Sequence, residues 1–274
     1  MKNPLLPILA IAALPLIPTD AAAQFYVVAD DGSVLYRMES GTPAYVTFEN
    51  PNPYNGTVGT AVDLGLPSGT LWADHNIGAT NPEDYSDYYS WGETATKETY
   101  DWSTYFDTND GGQTFGKYNN DDGKTELETS DDVASQTWGG KWQMPTQAMI
   151  QELKSQCYWV WTTTYNGKSV SGYIVYKAET DTDKGVKVTS GSSPSSDYDV
   201  ATDPHIFLPA AGYRRSSEPS NEGLNGYYWS RSLDPKDSKN AYNLFFSSGG
   251  VLNDCASSRD CGFAVRLVVL PAAE

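Results

Sequence analysis

The segment between residues 138 and 146 constrains the fold of this chain more than any other stretch of its sequence. It reads Trp-Gly-Gly-Lys-Trp-Gln-Met-Pro-Thr. Pro145 and Thr146 predict that a helix begins here, because a threonine oxygen can accept a hydrogen bond from a free amide of the first turn. Trp138 and Trp142 carry wide apolar rings, so we expect both to be buried where this helix meets a sheet.

Residues 1–23 have the pattern of an export signal. Lys2 precedes an apolar run over residues 5–17, and three small residues follow at 21–23. A membrane anchor is the alternative, but the run is short for a bilayer and two prolines interrupt it. The sequence therefore predicts a secreted or cell-envelope protein whose mature chain does not insert into a membrane.

The chain is strongly acidic, with a formal charge of −17 that the loss of Lys2 and Asp20 with the signal would leave unchanged. Such a surface repels phosphate backbones and anionic lipids, so we expect no nucleic-acid partner. Acidic turns at 30–32, 109–111 and 119–123 leave calcium binding possible. None has the full ligand spacing of a calcium loop, and solvated turns are favoured.

Three cysteines are too few to stabilise a chain of this length, so an aromatic-rich core must do so. Cys255 and Cys261 flank five residues, a spacing that fits a disulfide closing a loop between two strands. In an oxidising compartment we predict this bridge, with Cys157 free and buried.

Residues 24–58 are predicted to precede the main domain, 59–274, as a small β-hairpin segment and linker. Three β-rich runs occur there, at 25–28, 34–38 and 45–48. Asparagine, proline and glycine then dominate residues 49–60, which is typical of a linker.

Helices are few in the main domain. A short one is predicted from a Ser-Asp-Asp cap near Asp131 to about Gln136, and a second one begins at Thr146. Met149, Ile150 and Leu153 share one face of the second helix. The best predicted strands are 172–177, 205–209, 241–246 and 262–270, and residues 179–203 are expected to form a surface loop. The fold class is α+β, and Arg266 is expected to meet a buried carboxylate.

Several motifs in one order carry a resemblance to a known superfamily. They are Ala61 to Leu66, Asn76-Ile-Gly-Ala79, Asp131-Asp132, Trp138-Gly-Gly, Met144-Pro-Thr146, Phe207 to Arg214, Gly226-Tyr-Tyr-Trp229 and Gly262 to Arg266. This set resembles the major paralogous domain of exported bacterial proteins, within the formylglycine-generating-enzyme and C-type-lectin-like superfamily. The resemblance implies a C-type-lectin-like fold with two main helices and twisted antiparallel sheets.

The catalytic residues of the enzymatic relatives do not carry over. Their copper-binding cysteines lie well upstream of the closing Gly-Phe strand, whereas Cys255 and Cys261 lie immediately before it. His75 and His205 are the only histidines and lack a neighbouring ligand pair. The resemblance therefore implies no catalytic residue, metal ligand or cofactor. A metal-dependent oxidase or a carboxylate-based hydrolase of the same fold stays open as an alternative.

The calcium-dependent sugar site of the lectins is also incomplete here. Glu218-Pro-Ser220 matches only in part, and Trp229-Ser-Arg231 lacks the calcium-binding amide and acid. What remains is a stable scaffold with a C-terminal face rich in Tyr, Arg, Asn and Asp, residues that suit binding. This face is similar to the receptor-binding face of variable proteins of diversity-generating retroelements.

The predicted function is therefore an exported, non-enzymatic module that binds a protein or glycan at a cell surface. The predicted contact residues are Tyr228, Arg231, Leu233, Asp234, Lys239, Asn240, Tyr242, Asn243, Asn253 and Asp254. Two alternatives stay open: these residues are merely solvated loops, or the protein is a structural envelope component that docks its N-terminal hairpin by strand addition.

Overall fold

The computed structural model describes residues 25–28, 34–38 and 58–271, and the side chains within 58–251 and 255–271. The expected signal segment and the β-rich run at 45–48 lie outside the described residues. The chain divides into two compact units, Met1–Pro53 and Tyr54–Glu274, with the boundary inside the predicted linker.

The described residues contain fifteen strands, a 3-10 turn at Thr129–Asp131 and two α-helices. The strands are β1 (Phe25–Val28), β2 (Val34–Met38), β3 (Ala61–Val62), β4 (Leu71–Asn76), β5 (Trp142–Gln143), β6 (Cys157–Thr162), β7 (Gly172–Lys177), β8 (Lys187–Val188), β9 (His205–Pro209), β10 (Tyr213–Arg214), β11 (Pro219–Ser220), β12 (Asn225–Leu233), β13 (Asn240–Ser247), β14 (Gly250–Ser258) and β15 (Arg266–Val269). The helices are α1 (Val133–Thr137) and α2 (Gln147–Gln156).

In the first unit, β1 and β2 pair antiparallel, with Phe25 opposite Met38. They lie where the sequence predicted a hairpin. The second unit contains two four-stranded sheets, in the orders β3-β4-β15-β5 and β8-β6-β7-β9, and a three-stranded sheet, β12-β13-β14. Strands β10 and β11 form a small ribbon. The protein is therefore mostly sheet with few helices, which confirms the α+β class.

Both helices begin where local sequence predicted. The Thr146 hydroxyl accepts a hydrogen bond from the amide of Met149 at the start of α2. Asp132 caps α1 and accepts from the amides of Ala134 and Ser135. Ile150 and Leu153 of α2 are buried. Side-chain caps and one apolar stripe are local signals, which is why they could be recognised.

Two strand predictions need correction. The last strand begins at Arg266 and not at Gly262, because residues 262–264 form only isolated bridges to three different segments. The predicted loop 179–203 contains β8, which pairs parallel with β6. Strands 172–177 and 205–209 match the predicted bounds, and β13 extends one residue beyond the predicted 241–246 at either end.

The core has three neighbouring clusters of buried side chains. The first includes Trp91, Trp229 and the pair Trp138 and Trp142, whose ring centroids lie 5.0 Å apart. The second surrounds Trp72 and Trp159. The third covers the outer side of the β8-β6-β7-β9 sheet with tyrosines and Phe207. The prediction that Trp138 and Trp142 are buried is confirmed.

Arg266 links two sheets from a fully buried position. Its guanidinium donates to Asn76 Oδ1 at 2.7 Å, to the carbonyls of Ala73 and Asp74 on β4, and to the carbonyl of Phe207 on β9 at 2.7 Å. The expected carboxylate partner is therefore wrong, since an amide and three carbonyls receive the donors. Burial lowers the pKa of Arg266 to about 10.

Candidate functional site

Four of the ten predicted contact residues are buried, which contradicts a ligand-contacting role for them. They are Tyr228, Leu233, Asp234 and Asn243, with exposed fractions between 0% and 9%. On a strand, successive side chains point to opposite faces. Tyr228 faces inward with Phe246, and its hydroxyl donates to the carbonyl of Pro209 at 2.7 Å. Asn243 donates to the carbonyl of Cys255 and to Ser257 Oγ.

Arg231 is also held by the fold. Its guanidinium donates to Gln143 Oε1 at 2.5 Å and to the carbonyl of Leu127, and it lies 3.8 Å from the buried carboxylate of Asp132. Only about a sixth of the side chain is exposed. Arg231 therefore connects β12 to the segment around α1, and little of its side chain is exposed to a ligand.

The remaining predicted residues divide into two groups. Lys239 is exposed, and Asn240 and Tyr242 are partly exposed. The side chains of Asn253 and Asp254 lie outside the described residues. The structure therefore exposes only part of the predicted contact face.

No disulfide joins Cys255 and Cys261 in the described chain, so the predicted bridge is not formed. Cys255 lies on β14 opposite Asn243. Cys261 instead packs into the first core cluster. Burial raises the pKa of the Cys157 and Cys261 thiols to about 12, which disfavours thiolate chemistry.

A different group of side chains forms a partly exposed aromatic surface, which we call the platform: Tyr213, Tyr227 and Phe245. Tyr227 and Phe245 are directly opposite one another on β12 and β13, with centroids 4.9 Å apart. The rings of Tyr213 and Tyr227 are 5.0 Å apart. All three are partly exposed, in a protein that buries most of its large rings.

Two glycines position the platform. A parallel bridge between Gly212 and Gly226 brings Tyr213 beside Tyr227. A Cβ at Gly226 would lie 2.0 Å from the ring of Phe246, and one at Gly212 would lie 2.2 Å from the carbonyl of Ser220. Only glycine allows this approach. Behind the platform, Phe263 contacts Tyr227 at 5.0 Å and joins it to the first core cluster.

Polar and apolar groups surround the platform. Burial raises the pKa of the Tyr227 hydroxyl, and hydrogen bonds from Asn225 and Asn221 oppose that shift. Leu224 lies between Asn221 and Asn225 in the sequence, is 63% exposed and is the most exposed large hydrophobic side chain described. The surface thus combines flat rings with amide groups.

The backbone beside the platform is held in an unusual conformation. Ser216, in the turn between β10 and β11, has φ of 69°, and Asn221 has φ of 59°. Asparagine tolerates this region, but serine does so at a cost. Two hydrogen bonds between the backbones of Ser216 and Tyr100 hold the turn. Such outliers concentrate at functional sites.

Sequence reasoning missed the platform because both faces of β12 carry aromatic side chains. It treated Tyr228 as a ligand contact, although this side chain is buried beside Phe246, and it gave Tyr227 no role. Trp229 lies on the same side of the strand as Tyr227 and is fully buried, since successive side chains alternate. Alternation alone therefore does not show that Tyr227 is partly exposed.

Both histidines take part in structural contacts. His75 Nδ1 lies 2.7 Å from Asp74 Oδ1, and His205 bridges the Tyr165 hydroxyl and the Asp203 carbonyl, both at 2.8 Å. Within the described residues, no three His, Cys, Asp or Glu side chains gather to hold a metal ion. In the same part of the chain, no helix is both long and apolar enough to cross a bilayer.

Comparison with known proteins adds no relative. No family model, curated protein or solved structure matches the chain.

Proposed function

We propose that the protein is an exported, non-enzymatic binding module with a C-type-lectin-like fold, and that it recognises a protein or glycan at a cell surface. The platform is the contact surface. The observation that carries this proposal is the group of three adjacent, partly exposed rings on β10, β12 and β13, in a chain that buries most of its other large rings.

The physical chemistry of the platform favours binding. Tyrosine and phenylalanine have two side-chain torsions, so they supply contact area at a low entropic cost. The rings already contact Phe263 and one another, so little ordering is needed on association. Asn221 and Asn225 can give a ligand hydrogen bonds that bare rings cannot. Aromatic groups on a rigid support are typical of binding hot spots.

The fold proposal rests on the order of motifs along the second unit. The short helix α1, the Gly-Gly turn, the cap of α2, the Trp229 strand and the closing strand β15 follow in the order that the resemblance implies. Strand β15 also pairs with β4 near the start of the unit.

The experiment is a binding screen of the mature protein, residues 24–274, against arrays of glycans and cell-surface proteins, with calcium and with a chelator. The test variant combines Tyr227→Leu and Phe245→Leu, which removes two rings but keeps apolar bulk against Phe263. The matched control is Tyr242→Leu, a partly exposed tyrosine on the same strand as Phe245.

We expect hits that the double variant loses and the control keeps, with both variants folded by circular dichroism. Hits lost only in the Tyr242 variant would reject the platform. Turnover of a glycan or tightly bound copper or iron would reject the non-enzymatic role.

A further inference from the structure

A second surface lies in the long irregular segment ahead of α1. Residues 93–132 contain eleven Asp and Glu against three lysines, so this segment carries a formal charge of −8 out of −17. No helix or strand occurs between Asn76 and Thr129. Irregular segments of this length in a compact unit are uncommon and often functional.

Several rings of this segment lie close to a lysine or arginine side chain of the protein itself. The Arg259 guanidinium is completely buried and lies 4.3 Å from the ring centroid of Phe115 and 5.3 Å from that of Tyr105. Lys97 Nζ lies over the rings of Tyr100 and Tyr105, at 5.5 and 5.6 Å. Cations within about 6 Å of a ring face are attracted to its electrons.

Two other aromatic side chains of the segment are at least partly exposed. Phe106 is 50% exposed, the highest exposed fraction among the large aromatic side chains described, and its ring contacts Tyr105 at 5.2 Å. Trp102 is partly exposed and contacts Tyr105 at 5.4 Å. Within the described residues, no lysine or arginine lies over the face of either ring in this range.

Trp102 is held in place by its surroundings. A Cβ at Gly112 would lie 2.5 Å from the indole, so the backbone at Gly112 is in close contact with the Trp102 ring. Phe115 contacts the indole at 5.6 Å. A ring fixed in this way needs little ordering when a ligand binds.

We propose that Trp102 and Phe106 form a second contact surface, which binds lysine or arginine side chains of a basic protein partner. We expect a basic partner because the two rings lie in the most acidic segment of an acidic protein, so that the charges are complementary. Asp101, next to Trp102 in the sequence, adds a carboxylate that accepts hydrogen bonds from Ser103 and Thr104 of its own loop. An acidic or nucleic-acid partner would be repelled.

The proposal is tested with a fluorescent peptide of alternating arginine and glycine, titrated by anisotropy at low and physiological salt. Phe106→Ala leaves the charge unchanged and alters a half-exposed side chain, so the fold should be retained. Leu224→Ala is the matched control, since it removes an exposed apolar side chain that lies outside residues 93–132. Phe106→Trp supplies a ring that binds cations better.

We expect Phe106→Ala to weaken peptide binding about fivefold at physiological salt, while Phe106→Trp and Leu224→Ala bind as well as the wild type or better. Equal binding by the wild type and Phe106→Ala would overturn the proposal, because attraction would then follow net charge alone. Absence of binding by the wild type at low salt would also overturn it. Neither outcome bears on the platform.

Discussion

Arg266 illustrates at the residue scale how one buried cation can stabilise this fold without a carboxylate. Four hydrogen bonds connect it to β4 and β9, and its removal would leave Asn76 and three carbonyls without these donors. We expect Arg266→Met to lower the free energy of unfolding by about 3–5 kcal/mol in urea denaturation. Arg215→Met, at an exposed position, should change it by less than about 0.5 kcal/mol. A loss below about 1 kcal/mol for Arg266→Met would contradict this role.

Asp131 gives a prediction on pH at the same scale. Burial alone would raise the pKa of this carboxyl, but the Tyr118 hydroxyl at 2.5 Å and Lys117 at 3.0 Å hold it below its ordinary value of 3.8. Because the pKa is lower in the folded state, the carboxylate stabilises the fold above about pH 4. That stabilisation disappears as the pH falls through the folded pKa.

Asp131→Asn should therefore reduce stability at neutral pH by about 1–3 kcal/mol. The difference from the wild type should shrink as the pH falls below 3.8 and through the lowered pKa of the folded state. Urea denaturation across this range checks the expectation, and a constant difference at all pH values would show that Asp131 does not act through its charge.

At the scale of the element, a substitution of Thr146 measures how much the N-terminal cap of α2 contributes to the free energy of unfolding. The Thr146 hydroxyl accepts a hydrogen bond from the amide of Met149 at 3.2 Å. Thr146→Ala should cost about 1 kcal/mol of stability, and Thr96→Ala, at an exposed position, should cost much less. Thermal denaturation compares the two variants, and equal melting temperatures would mean that the cap is dispensable.

The same scale shows what the sequence could and could not predict. The caps at Asp132 and Thr146 and the runs of β7 and β9 depend on neighbouring residues, so local pattern was enough. The late start of β15 and the parallel partner β8 depend on contacts between distant segments. The platform was missed for another reason, since β12 carries aromatic residues on both faces and alternation alone does not show which of them is exposed. The buried Arg259, packed among aromatic rings, had no local signal either.

At the scale of the whole molecule, the platform and the Trp102 and Phe106 surface both belong to the second unit, Tyr54–Glu274. Removal of residues 24–53 from the mature protein should therefore leave ligand binding at the platform unchanged, as measured by titration of a ligand found in the array screen. Weaker binding in the shortened protein would contradict this expectation. Loss of an assembly would favour the structural envelope role predicted for the N-terminal hairpin.

The dissociation constants of single variants show whether the platform is the contact surface. An array ligand should bind Tyr227→Leu and Phe245→Leu roughly 10- to 30-fold more weakly than the wild type, as expected for aromatic hot spots. The same ligand should bind Tyr242→Leu with unchanged affinity, and all three melting temperatures should stay close to that of the wild type. Full affinity in both platform variants would contradict the account.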